Sequence, residues 1–179
     1  MSERWSTAQR RLHWWSAALV LATLGLALLM TALPFTLLLA KFLAYQLHKT
    51  LGLLVLGMVV ARLVLRGLRP APPALGLSGA RLGQALLYAL LLVVPVLGYF
   101  TAQLAPGPVP TTLFLVIPVP HLLQPDPVLF ALLRPVHQAA AWLLVSLAAG
   151  HAGLALWHHR HGVPVFSRIW GRALPPRQG

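Results

Sequence analysis

Four long apolar runs divide the chain, at about residues 12–33, 42–65, 82–104 and 136–158. None of them contains an acidic residue. A helix of about 20 apolar residues crosses a hydrocarbon core of about 30 Å, and each run reaches that length. The pattern predicts an all-α membrane protein, a four-transmembrane-helix bundle formed by one domain over residues 1–179. Ser6 with Gln9 three residues later is a capping box, so the first helix is expected to begin before its apolar run. Pro95 interrupts the third run, where a kink is expected that a bundle tolerates.

The connections differ in kind. Residues 34–41 form a short link, and residues 67–81 contain the stiff stretch Pro70-Ala71-Pro72-Pro73. Residues 105–135 form a long, proline-rich connection, of the kind that covers a site, and it is expected to cap one end of the bundle.

Composition narrows the class. The chain has 179 residues, 58% hydrophobic and 9% charged, too apolar for a soluble domain of this size. The net charge of +12 raises the question of nucleic acid, but the basic residues flank the apolar runs rather than forming a soluble basic face. No nucleic-acid partner is expected; the surrounding partner is membrane lipid. Arg4, Arg10, Arg11, Arg62, Arg66, Arg69, Arg81, Arg160, Arg168, Arg172 and Arg177 fall on the side of the termini. Only Lys41, Lys49 and Arg134 fall on the other. That asymmetry places both termini in the cytoplasm. The arginines before the first run admit a signal peptide, but the run is too long and lacks a clear small-residue cleavage site. There is no cysteine, which excludes disulfides, thiolate metal sites and covalently attached c-type haem.

Four histidines stand inside the apolar runs: His13, His48, His137 and His151. His137 and His151 are fourteen residues apart, so they lie within about 40° on one helix face and roughly 21 Å apart along the axis. Topology puts His13 at the level of His151 and His48 at the level of His137. Two imidazole pairs at two depths suit two b-type haems and a path for electrons across a membrane. For any one histidine the plainer role is a polar residue bonded across the bundle. Four that match in two levels favour the functional role, as ionisable groups in a membrane do by default. Gly52, Gly150 and Gly153 stand near the histidines and would let a flat macrocycle approach the backbone, though small residues also serve ordinary helix packing.

These motifs resemble the bacterial di-haem cytochrome b561 family over nearly the whole chain. The resemblance rests on Leu12-His13-Trp14, on His48-Lys49 followed by Gly52, and on Arg62-Leu63-Val64-Leu65-Arg66 leading to Pro70-Ala71-Pro72-Pro73. It continues through Leu87-Tyr88, Pro95 and Gly98-Tyr99, then His137, His151 and the doublet His158-His159. It implies a four-helix bundle enclosing two haems b in the bacterial inner membrane. His13 and His151 would bind the inner iron, and His48 and His137 the outer iron. It also implies electron exchange with quinone, and for some members oxidation of external superoxide by ubiquinone. Family members often carry a histidine four residues before the tyrosine of helix three; here Gln84 stands there, which removes a propionate or quinone contact.

Other residues take expected roles from position. His158, seven residues beyond His151, lies on nearly the same face and is a candidate for a propionate contact or for passing protons to reduced quinone. The plainer role is an interfacial, solvated histidine, and His159 is assigned to it; His121 is expected to be an exposed loop residue or to flank the outer haem. Lys49 and Arg134 adjoin the outer ligands and, with Lys41, would make a positive outer mouth that draws in a small anion such as superoxide. Their alternative is to neutralise propionates or to snorkel. Trp5, Trp14, Trp15 and Trp170 read as belt anchors.

The expected function is a superoxide:ubiquinone oxidoreductase. The alternative is a cytochrome b subunit that carries electrons between quinol and a separate redox protein. A histidine-based transporter ranks last, because cation pathways rely on intramembrane carboxylates and the runs have none.

Overall fold

A computed structural model describes residues 4–69, 72, 75, 77, 79–107, 109–163 and 165–170. Within it the four apolar runs are four helices: α1 (Thr7–Ala32), α2 (Leu38–Leu68), α3 (Ala80–Leu104) and α4 (Pro127–Arg160). All four are long and apolar enough to cross a membrane. Two short strands, β1 (Thr112–Leu113) and β2 (Ile117–Pro118), lie in the third connection, and a short α5 (Val165–Trp170) follows α4. Glu3, Pro70, Ala71, Pro73, Arg172 and Arg177 lie outside the described residues.

Local sequence explains the helix starts. The Ser6 hydroxyl accepts from Gln9 N at 3.3 Å, and the Gln9 side chain accepts from Ser6 N at 3.0 Å, which is the expected capping box. Lys41 closes the other end of α1 by donating to the carbonyls of Met30 at 3.0 Å and Leu33 at 2.7 Å. Those carbonyls have no partner within the helix, and a cation complements the helix C-terminus. Helix α3 runs unbroken through Pro95.

Helix α4 departs from the expected span. It begins at Pro127 rather than at 136 and continues through Pro135. The Asp126 carboxylate accepts from Val128 N at 2.9 Å and Leu129 N at 3.0 Å, and Pro127 takes the first turn, where a missing N–H costs nothing. That strong start outweighs the proline inside, which removes one donor and leaves the rest of the ladder intact.

Helix α1 packs on α2, α2 on α3, and α3 on α4. The centre of the bundle is the buried set Val55, Val59, Leu91 and Leu144. Leu144 lies seven residues from both His137 and His151, and Val55 and Val59 lie between His48 and Arg62. An apolar core therefore separates two polar levels. Outward, residues such as Leu21, Leu39 and Val64 are exposed, as a lipid-facing surface requires.

The third connection forms a cap over one end. Gln46 Nε2 donates to Pro110 O at 2.8 Å, and Thr50 Oγ1 donates to Thr112 O at 3.2 Å while accepting from Phe114 N at 3.2 Å. From α3, Tyr99 donates to Pro120 O at 2.6 Å, and Gln103 Oε1 accepts from Leu122 N at 2.5 Å and Leu123 N at 2.9 Å. Gln46, Gln103 and Thr50 are fully buried. These bonds fix the cap to the helices, while Gln46 Oε1 and Gln103 Nε2 are buried without a hydrogen-bond partner among the described residues.

Candidate functional site

The bundle brings the four histidines together in two pairs. The ring centres of His48 and His137 are 6.5 Å apart, with planes at 78°. Those of His13 and His151 are also 6.5 Å apart, at 64°. Near the cap, His48 stands ten residues into α2 and His137 ten residues into α4, so both lie roughly 15 Å from a helix start. His137 is thus deeper in its helix than an α4 beginning at 136 implies.

Two rings at this separation match one metal ion held between them. A nitrogen–metal bond of about 2 Å on each side, plus roughly 1 Å from each nitrogen to its ring centre, gives about 6 Å. Among the described residues no three His, Cys, Asp or Glu side chains converge as a metal site. A pair of imidazoles and nothing more suits an iron whose four remaining positions belong to a macrocycle, as in haem b.

The rings near the cap are oriented by backbone. His48 Nδ1 lies 3.0 Å from Thr23 O, and His137 Nδ1 lies 3.1 Å from Val94 O. A carbonyl can only accept, so each Nδ1 carries the proton and each Nε2 keeps its lone pair for a ligand. Such a bond also fixes the orientation of the ring. Gly98 completes this level: a Cβ there would stand 2.9 Å from His137 Cε1, so only glycine leaves room for the ring. Beside Gly52, Gly150 and Gly153 the space is open, since a Cβ at any of them would meet nothing within 4 Å. They are not points of close helix packing, and nothing at these positions blocks approach to the backbone.

The level near the termini has a different neighbour. His13 Nδ1 accepts from Arg62 Nη2 at 3.5 Å. The Arg62 guanidinium lies 5.1 Å from the Tyr88 ring centre, and Arg66 lies 5.9 Å from the same ring and 6.0 Å from that of Trp5.

A model of the family described as prokaryotic cytochrome b561 matches residues 4–172. The chain belongs to this family. Two Escherichia coli (strain K12) proteins, cytochrome b561 homolog 2 and cytochrome b561 homolog 1, are each 29% identical to it. The matches cover 88% of this chain and 85% of the first relative, and 87% of this chain and 90% of the second. As a cytochrome b561 the chain is a multi-pass membrane protein of transmembrane haem b electron transfer.

The remaining candidates have other surroundings. Lys49 is half-buried and Arg134 exposed, and neither has a hydrogen bond or ion pair among the described residues. Lys41 is held by the end of α1 and by the Phe35 ring at 4.7 Å, so it does not line an open mouth. His158 packs edge-on against Trp157 at 4.9 Å, and His159 lies 5.3 Å from Phe166. His121 Nε2 accepts from Thr111 N at 3.3 Å, which makes it part of the cap. Trp14 meets Trp170 at 5.0 Å and His13 at 5.2 Å. Sequence reasoning used Arg62 for topology and Gly98 for the resemblance, and gave neither of them, nor the cap-holding glutamines, a part in the site. Only Arg62 had a legible signal: it follows His48 by fourteen residues, the spacing that separates His137 from His151.

Proposed function

We propose that this cytochrome b561 is a superoxide:ubiquinone oxidoreductase holding two haems b. His48 and His137 ligate one near the cap, and His13 and His151 ligate the other near the termini. The observation that carries the reading is the pair of equal 6.5 Å imidazole separations at two depths. Haem iron, when bound, supplies reversible one-electron exchange. The protein's part is to hold four imidazoles by Nε2, to keep an apolar core between the levels and to cover one end.

The substrates balance simply. Two superoxide ions lose one electron each and leave as O₂; ubiquinone takes both electrons and two protons to become ubiquinol. Lys49 and Arg134 favour an anionic donor on the cap side, which this reading places outside the inner membrane, with both termini cytoplasmic. Among the described residues one carboxylate, Asp126, stands on that side against Lys41, Lys49 and Arg134, and it is bonded to the backbone at the start of α4 rather than to any of them. His158, near the other end, is assigned to passing protons to the quinone.

The second reading is a cytochrome b subunit serving a separate redox protein. The cap supports it with an exposed apolar tip, Phe114 at 58% and Val116 at 78% exposure. Superoxide generated beside the purified holoprotein separates the two. Reduction of the b-type bands, abolished by superoxide dismutase and reversed by ubiquinone, is expected. Bands that respond only to quinol, with a soluble redox protein co-purifying, would overturn the first reading and support the second.

A further inference from the structure

We propose that Arg62 makes the haem level near the termini the stronger electron acceptor, so that α2 gives the chain a direction from cap to termini. The inference rests on the ligation above. Helix α2 carries His48 at one level and, fourteen residues on and within about 40° on the same face, Arg62 at the other. The position that α4 fills with the ligand His151, α2 fills with a cation.

The two levels differ in what meets the ligand rings: Lys49 and Arg134 neighbour His48 and His137 in sequence but bond neither ring, whereas Arg62 bonds His13. Near the cap, the carbonyls of Thr23 and Val94 face His48 and His137 with their negative ends. That makes the imidazoles better electron donors and favours the oxidised metal. Near the termini, the neighbour of His13 is a guanidinium, which can only donate and is always charged. When His13 binds through Nε2, a neutral ring carries its proton on Nδ1 and this hydrogen bond is given up. The charge stays, because the Tyr88 ring holds Arg62 from the other side. Arg66 adds a second cation over the same ring. The one acidic residue among those described, Asp126, caps α4 at the opposite end and does not neutralise them. A positive charge near a redox centre favours the reduced state. At about 8–10 Å and an effective dielectric of about 20, one charge shifts a one-electron equilibrium roughly 15- to 30-fold.

A spectroelectrochemical titration of the holoprotein in lipid nanodiscs tests this. Two one-electron midpoints are expected, and His48→Ala should leave the higher one. Arg62→Gln should lower that midpoint by at least tenfold in equilibrium constant, about 59 mV, and leave the lower one in place. Arg62→Lys should restore most of the shift, and Tyr88→Leu, which frees the guanidinium, should give an intermediate value. These two variants also keep the test open where Arg62→Gln does not assemble. Midpoints that stay fixed in Arg62→Gln, or a fall in the lower one alone, overturn the proposal. Haem content is measured on the same samples. A wild-type chain with fewer than two haems overturns the ligation reading first, and this inference with it.

Discussion

Gly98→Ala separates ligand geometry from fold stability. The added Cβ would stand 2.9 Å from His137 Cε1, 3.4 Å from Nδ1 and 3.5 Å from Nε2. Ordinary carbon contacts begin at about 3.5 Å, so the imidazole must retreat by about 0.6 Å. Its hydrogen bond to Val94 O, one turn away on α3, resists that movement. Metal–ligand distances tolerate about 0.2 Å, so the shift is enough to spoil ligation. The fold is affected less. Overpacking costs about 1–3 kcal/mol, and replacing glycine inside a helix returns up to about 1 kcal/mol. The expected result is loss or spectral change of one haem while the other is kept, with a thermal midpoint close to wild type. Gly25→Ala, where a Cβ meets nothing within 4 Å, should leave both haems in place. Haem-to-protein ratio and low-temperature paramagnetic resonance provide the assay. If Gly98→Ala retains two haems with unaltered spectra, the placement of His137 as a ligand is refuted.

Three further outcomes follow from the cap and its charges. Gln103→Leu removes the shared acceptor of the Leu122 and Leu123 N–H groups, each bond contributing about 0.5–1.5 kcal/mol, and should raise hydrogen exchange at residues 122–123 while the helices stay protected. Phe114 (φ 52°) and Leu115 (φ 65°) form a tight turn in the left-handed region, which strains bulky side chains by about 1–3 kcal/mol each. Replacing them with Asn-Gly should stabilise the cap by a few kcal/mol in thermal unfolding; no change would show that the turn is unstrained. Lys49→Gln or Arg134→Gln should slow superoxide-driven reduction roughly two- to fivefold at low salt, with the difference fading as ionic strength rises. A rate insensitive to both charge and salt would remove these residues from substrate attraction.

The four helices were legible because membrane spans are set by length and apolarity, which are local properties. The pairing of the histidines was legible because one helix carried two of them at a spacing that fixes face and depth. The start of α4 was not, because Pro135 resembles a boundary and the Asp126-Pro127 cap lies in a proline-rich stretch. The cap's attachments were also hidden. Gln46 reaches Pro110 and Gln103 reaches residues 122 and 123, and such long-range bonds leave no periodic trace. Gly98 needed the position of a ring on another helix. Arg62 was visible as a charge and was counted toward topology, while its register with His48 carried the chemistry.

The most direct test of the account is the number of haems b per chain, measured by the pyridine haemochromogen spectrum against quantified protein. Two are expected for wild type. One is expected after His13→Ala or His151→Ala, one after His48→Ala or His137→Ala, and none when one ligand of each pair is removed. A single haem in wild type, or two retained after loss of any of these histidines, would contradict the pairing on which the proposed electron path depends.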